Sequence, residues 1–140
     1  MAGKILLEVV SPERLLLSQE VDEVIAPGSE GEFGVLPGHC HFLSTLRIGE
    51  LRYKTQDAWH YMSVLWGYAE VTPAKVTIMA EIAEKAEDID VDRAQLALEK
   101  AEQRLQAGGL PSEVKEAQIS LEKARLRKKI AERARKGAHA

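Results

Sequence analysis

The sequence predicts a β plus α chain: an N-terminal antiparallel β-sandwich, or flattened barrel, over residues 1–86, and a C-terminal antiparallel two-helix hairpin over residues 87–140. Three observations lead there. Up to about residue 82, short apolar and β-branched runs are separated by Gly, Pro and charged turns roughly every 8–12 residues, with no helical segment between them. After Glu81 the apolar residues recur at steps of three and four instead. Charge divides in the same place: residues 1–87 hold 7 basic and 13 acidic side chains, a net of −6, and residues 88–140 hold 12 and 9, a net of +3. A chain of 140 residues buries roughly two thirds of its unfolded surface, which supports one real core and a smaller appendage.

The expected strands are Ile5–Val10, Leu15–Leu17, Val21–Ala26, Phe42–Leu46, Glu50–Lys54, Tyr61–Leu65, Tyr68–Val71 and Val76–Ala80. Ser11-Pro12, Pro27-Gly28, Pro37-Gly38, Gly49, Gly67 and Thr72-Pro73 supply the turns between them. Residues 27–39 carry four glycines and two prolines around Phe33, Val35 and Leu36. The glycines reach positive φ without steric cost and the prolines fix φ, so the segment reads as a shaped loop presenting Glu30, Glu32 and His39. It lacks the Gly-Lys-Ser/Thr ending and following helix of a phosphate cradle, and is expected to dock a protein.

In the second half, Asp88 or Asp90 is positioned to cap a helix over about residues 90–107, with Val91, Ala94, Leu98, Ala101 and Leu105 on one stripe. Gly108-Gly109-Leu110-Pro111 breaks it, and a second helix follows over about 112–135, with Val114, Ala117, Leu121 and Ala124 as the matching stripe. An alanine seam permits close approach but buries little apolar area, so the hairpin is expected to be the mobile part. Ile119, Leu126 and Ile130 form a second stripe pointing away from the seam, beside a basic face of Arg125, Lys129, Arg133 and Lys136 spanning about 80°. From Lys123 onward there are eight basic residues and one acid, which calls for an acidic partner surface.

Other chemistries fit less well. His39-Cys40-His41 suggests zinc, but in an extended segment Cys40 projects opposite to the histidines and no second ligand pair completes four. No catalytic or metal residue is therefore assigned, and Cys40 is expected to be a small buried apolar residue. A single cysteine excludes an intramolecular disulfide and fits a reducing compartment. Glu30 and Glu32 lack a nucleophile or histidine relay that would make them a catalytic pair. The basic C-terminal face has no aromatic residue after Tyr68 to stack bases, which disfavours nucleic acid. Apolar runs stay under about ten residues, too short to enter a bilayer directly. Ile89-Asp90-Val91-Asp92-Arg93-Ala94 has two readings: acids complementing a helix N-terminus, or a carboxylate and an arginine on one helix face able to hold an adenine or ribose while cations meet phosphates.

Over its whole length the chain resembles the epsilon subunit of bacterial F-type ATP synthases. The resemblance rests on Val10-Ser11-Pro12-Glu13, the run from Gly28 to His39, the Gly67 hairpin before Glu70-Val71, Lys75-Val76-Thr77-Ile78 and the Ile89-Asp90-x-x-Arg93-Ala94 helix start, all in the family's order. It implies a non-catalytic rotor subunit at the cytoplasmic face of the bacterial inner membrane. The sandwich would be fixed to the gamma subunit and seated on the c ring through Glu32 and His39. The hairpin would extend along gamma towards the beta and alpha subunits, with Arg125, Lys129 and Arg133 meeting acidic beta segments and blocking ATP hydrolysis. The family requires no cofactor, but some members bind regulatory ATP, which by resemblance would use Glu84, Asp90, Arg93, Lys100, Lys123 and Arg127. The strongest binders have arginine where Lys100 and Lys123 stand; lysine keeps the charge but loses the planar fork, so ATP binding is expected to be weak. Two rival readings are a free-standing ATP-sensing module and a nucleic-acid-binding sandwich.

Overall fold

The computed structural model describes residues 3–39 and 41–138, with the side chains of 135–138 left out. It divides into two compact units, one ending at Lys85 and one beginning at Ala86. Among the described residues the first holds eight strands: β1 (Ile5–Val10), β2 (Leu15–Val21), β3 (Glu23–Gly28), β4 (Gly31–Val35), β5 (Phe42–Leu46), β6 (Gly49–Thr55), β7 (Ala58–Val71) and β8 (Lys75–Lys85). They pair in the order β2-β1-β8-β7-β5-β3-β4, with β6 bridging β3 and β7. Because β7 pairs with both β5 and β6, and both of those pair with β3, the four strands close a ring. Every ladder is antiparallel except β1 with β8, which lie parallel.

Alternation builds the core. Ile5, Leu7 and Val9 are fully buried between half-buried Leu6, Glu8 and Val10, and Val76, Ile78 and Ala80 repeat the pattern on β8. At the end where β3 begins, the Lys4 ammonium hydrogen-bonds Asp22 and holds its carboxyl below the ordinary range.

Several segments differ from expectation. Tyr61–Leu65 and Tyr68–Val71 are one continuous strand, with Gly67 inside it and no hairpin there. Trp66 and Gly67 take φ of 48° and 147°, and a Cβ built on Gly67 would lie 1.9 Å from the Met79 carbonyl oxygen. Gly67 thus lets β8 pass through the space of its missing side chain, and the chain bends there without reversing. Residues 27–39 are also only partly loop. Pro27↔Glu32 and Gly28↔Gly31 continue a ladder between β3 and β4, leaving Ser29 and Glu30 as the turn. The glycines and acids concealed a period-two strand in which Phe33 and Val35 are more buried than Glu32 and Gly34. The strand β8 also runs five residues past Ala80, because Met62–Leu65 of β7 remain available to pair.

The second unit has a 3-10 turn (Ala86–Asp88), α1 (Val91–Ala107) and α2 (Pro111–Ala138). Asp90 caps α1, its carboxylate accepting the Arg93 N–H at 3.2 Å. Gly108 and Gly109 take φ of 70° and 128° at the break, and Pro111 begins α2, where its missing N–H costs nothing. The seam is as expected: Ala94, Ala101, Ala117 and Ala124 are buried, with Leu98, Leu105 and Leu121 half-buried beside them. The second stripe is not free. Ile130 is fully buried and Ile119 and Leu126 are half-buried, so this side of α2 is no open docking face. The helix α2 has 28 residues against 17 in α1, and its excess length meets the turn at Ala86–Asp88.

Replacing Gly67 by alanine is expected to destabilise the chain by at least about 3 kcal/mol, since a β-carbon and a backbone carbonyl would share one space. Urea unfolding of the variant measures this, and a loss below 1 kcal/mol would refute the account of the bend.

Candidate functional site

Three surfaces carry the expected residues or features that sequence reasoning missed. The first lies on the outward face of the β2-β1-β8-β7-β5 layer. Cross-strand pairing sets Leu15 beside Val10, Val10 beside Met79, Met79 beside Tyr68 and Tyr68 beside Thr45. Outward positions of a half-buried sheet are ordinarily polar, yet Leu15 is 54% and Tyr68 55% exposed, with Met79 and Trp66 also exposed. A groove of about 750 Å³ lies over this row, lined on its apolar side by Trp66, Tyr68 and Met79 and at its edge by Glu81. The bend at Gly67 places Trp66 here. The signal was present in the sequence, since Met79 and Tyr68 break the polar phase of their strands, but it shows only once the register is known.

The second surface surrounds β4 and the loop after it. Phe33 and Phe42 meet edge to face at 5.1 Å, and the His39 ring stands 6.3 Å from Phe42. Gly38, at φ 84°, donates its N–H to the Pro73 carbonyl, and the His39 N–H reaches the Leu36 carbonyl, so the loop has a held path. Leu36 and Leu43 are exposed beside it. Glu32 is paired: its carboxylate lies 3.5 Å from Arg52, whose other terminal nitrogen lies 3.3 Å from Glu50. Glu30 is exposed at the hairpin turn. Cys40 lies outside the described residues.

The third is the hairpin. Arg93 and Lys100 are seven residues apart and line one depression of about 450 Å³ with Leu96, Ala97, Glu99 and Gln103. Asp90 lines a different cavity, of about 440 Å³, with Ile89, Ala86 and Ala131 among its walls. Arg93, Lys100 and Lys123 each immediately precede a buried seam alanine, as Glu116 does. In an antiparallel pair such positions on both helices project to one side, and the Arg104–Glu116 contact at 3.8 Å across the seam marks that side. Arg127, four residues after Lys123, falls on it too. The geometry therefore gathers Arg93, Lys100, Lys123 and Arg127 on one side of the hairpin. Glu84 is a half-buried residue of β8, in the other unit. Arg125 and Lys129 are exposed on α2 and Arg133 is half-buried; the Lys136 side chain lies outside the described residues. No helix among the described residues is long and apolar enough to cross a membrane.

Comparison with known proteins accounts for both units. Residues 4–86 match the model of the ATP synthase delta/epsilon chain β-sandwich domain, and residues 87–136 match that of the delta/epsilon chain long α-helix domain. The chain belongs to the ATP synthase delta/epsilon family. Among members of this family, the ATP synthase epsilon chain of Syntrophobacter fumaroxidans is 51% identical over 133 residues, covering 95% of this chain and 99% of that protein. The epsilon chain of Citrifermentans bemidjiense is 47% identical, covering 96% and 98%. Among solved structures, a chain of the Euglena gracilis mitochondrial ATP synthase, determined as an OSCP/F1/c-ring assembly, superposes with a TM-score of 0.77 at 25% identity, covering 89% of this chain and 79% of that one. A chain of the Tetrahymena thermophila mitochondrial ATP synthase central stalk and c ring shares the fold, with a TM-score of 0.63 at 12% identity over 93% and 98% of the two chains. The delta/epsilon family's two-domain plan is thus present in full.

Proposed function

We propose that the chain is a non-catalytic central-stalk subunit that joins gamma to the c ring at the cytoplasmic face of a bacterial inner membrane and restrains ATP hydrolysis through its hairpin. The observation that carries this reading is the row in which exposed Leu15, Met79 and Tyr68 flank half-buried Val10, with exposed Trp66 beside it. Full burial of one large apolar side chain contributes roughly 1.5–3 kcal/mol, so a partner covering this row gains enough to hold the sandwich through rotation. Gamma is that partner. Glu32 and His39, with the apolar Leu36 and Leu43 around them, form a separate surface for the polar loops of the c ring. Linkage to the membrane then runs through the ring.

The hairpin has two states. Folded, it keeps the alanine seam; extended, it exchanges that seam for contacts with gamma and with acidic beta segments, which Arg125, Lys129 and Arg133 meet by charge. A seam of four buried alanines is weak enough for this exchange. ATP favours the folded state by binding the cationic side of the hairpin at Arg93, Lys100, Lys123 and Arg127, with Asp90 as an acceptor. Two lysines in place of arginines make this binding weak.

Three measurements test the reading. Tyr68→Glu places a charge in the apolar row, beside Met79, and is expected to weaken capture by gamma at least about 30-fold, a loss of about 2 kcal/mol, with thermal stability unchanged; undiminished capture refutes the assignment of this face. Truncation after residue 87 is expected to leave assembly intact and raise ATP hydrolysis by the complex, and an unchanged rate excludes a regulatory hairpin. Titration calorimetry of the full chain is expected to show weak saturable ATP binding that disappears in Arg93→Ala; equal heats from both proteins exclude the site.

A further inference from the structure

We propose that Arg52 is a positioning residue for Glu32, holding that carboxylate ready for a hydrogen-bond donor on the partner that docks there. The proposal rests on the reading that Glu32 faces the c ring. The arrangement crosses three strands: Arg52 on β6 pairs with Ile25 on β3, which pairs with Gly34 on β4, and Glu32 lies two residues from Gly34 on the same face. Gly34 adds no side chain along this path, and Nη2 of Arg52 reaches across to Oε1 of Glu32 at 3.5 Å. Nη1 is 3.3 Å from Oε1 of Glu50, on the same face of β6.

The two carboxylates differ in surroundings. The Glu50 side chain is 7% exposed and the Glu32 side chain 47%. Glu50 is thus the fixed end of the chain of contacts, Arg52 the link and Glu32 the end that meets solvent. A guanidinium spans two carboxylates with separate nitrogens, whereas an ammonium offers a single point of charge. One contact to Arg52 leaves Glu32 with several of its roughly four lone-pair sites open to a partner donor. Ordering this flexible side chain in the free protein removes a cost that association would otherwise carry.

The test titrates the full chain against two assemblies, the catalytic hexamer with gamma and the c ring, and the same hexamer with gamma but no ring. Arg52→Gln and Arg52→Lys are each expected to weaken binding to the ring-containing assembly about fivefold and to leave binding to the ring-free assembly unchanged. Glu32→Gln is expected to match them, and the double variant Arg52→Lys/Glu32→Gln to lose no more than either single one. Arg52→Lys keeps a cation beside the buried Glu50, so it reports even where Arg52→Gln fails to fold. Equal losses in both assemblies would make Arg52 a structural residue only and overturn the proposal. Weakening by Glu32→Gln with none by Arg52→Lys would overturn it while leaving Glu32 at the ring. No effect of Glu32→Gln would remove the ring contact, and the proposal with it.

Discussion

The sandwich depends on one strand serving two neighbours along a single edge. The first half of β7 pairs with β6 and the second with β5, while β8 follows the other edge from Met62 to Val71. A straight strand would keep one neighbour; the change of partner needs a bend, and the bend needs a residue without a β-carbon where β8 comes closest. Gly67 is that residue. The ring of β7, β5, β3 and β6 closes because of it, and Trp66 emerges on the outer face because of it. Closure of the core and the apolar surface outside it therefore share one cause.

Much of this was legible in the sequence because apolar and β-branched runs bounded by turn residues mark strands even where strict alternation is lacking. Ile5–Val10 and Phe42–Leu46 stand as read, and the alanine seam of the hairpin follows from steps of three and four alone. Errors fell where local chemistry and tertiary pairing disagree. Glycine at position 67 signals a turn to any local reading, and only the approach of the Met79 carbonyl explains why the strand continues. The segment Gly31–Val35 has the composition of a loop and is held as a strand by its ladder with β3. The burial of Ile130 was hidden for a related reason, since it depends on how far α2 outruns α1.

The candidate site was legible in a different way. Charged residues of the hairpin are named by sequence, and helical periodicity with the Arg104–Glu116 contact brings four of them to one side. Glu32 is likewise named by sequence, but its dependence on Arg52 and Glu50 is not, because those residues come from a strand two positions away in the sheet. The row from Leu15 to Thr45 draws on five strands, so no window of sequence contains it. A surface assembled from distant segments carries no local motif.

The parallel ladder between β1 and β8 joins the first strand of the chain to the last one before the hairpin. Its partners, from Leu6 with Lys75 to Val10 with Met79, lie about 70 residues apart in sequence. During synthesis β1 can pair with β2 at once, but its other edge must wait until the eighth strand has left the ribosome, and a pairing of such long range is slow to form. By the time Val91 begins the first helix, every strand of the sandwich has been made. Translation thus lays down the hairpin after the sandwich.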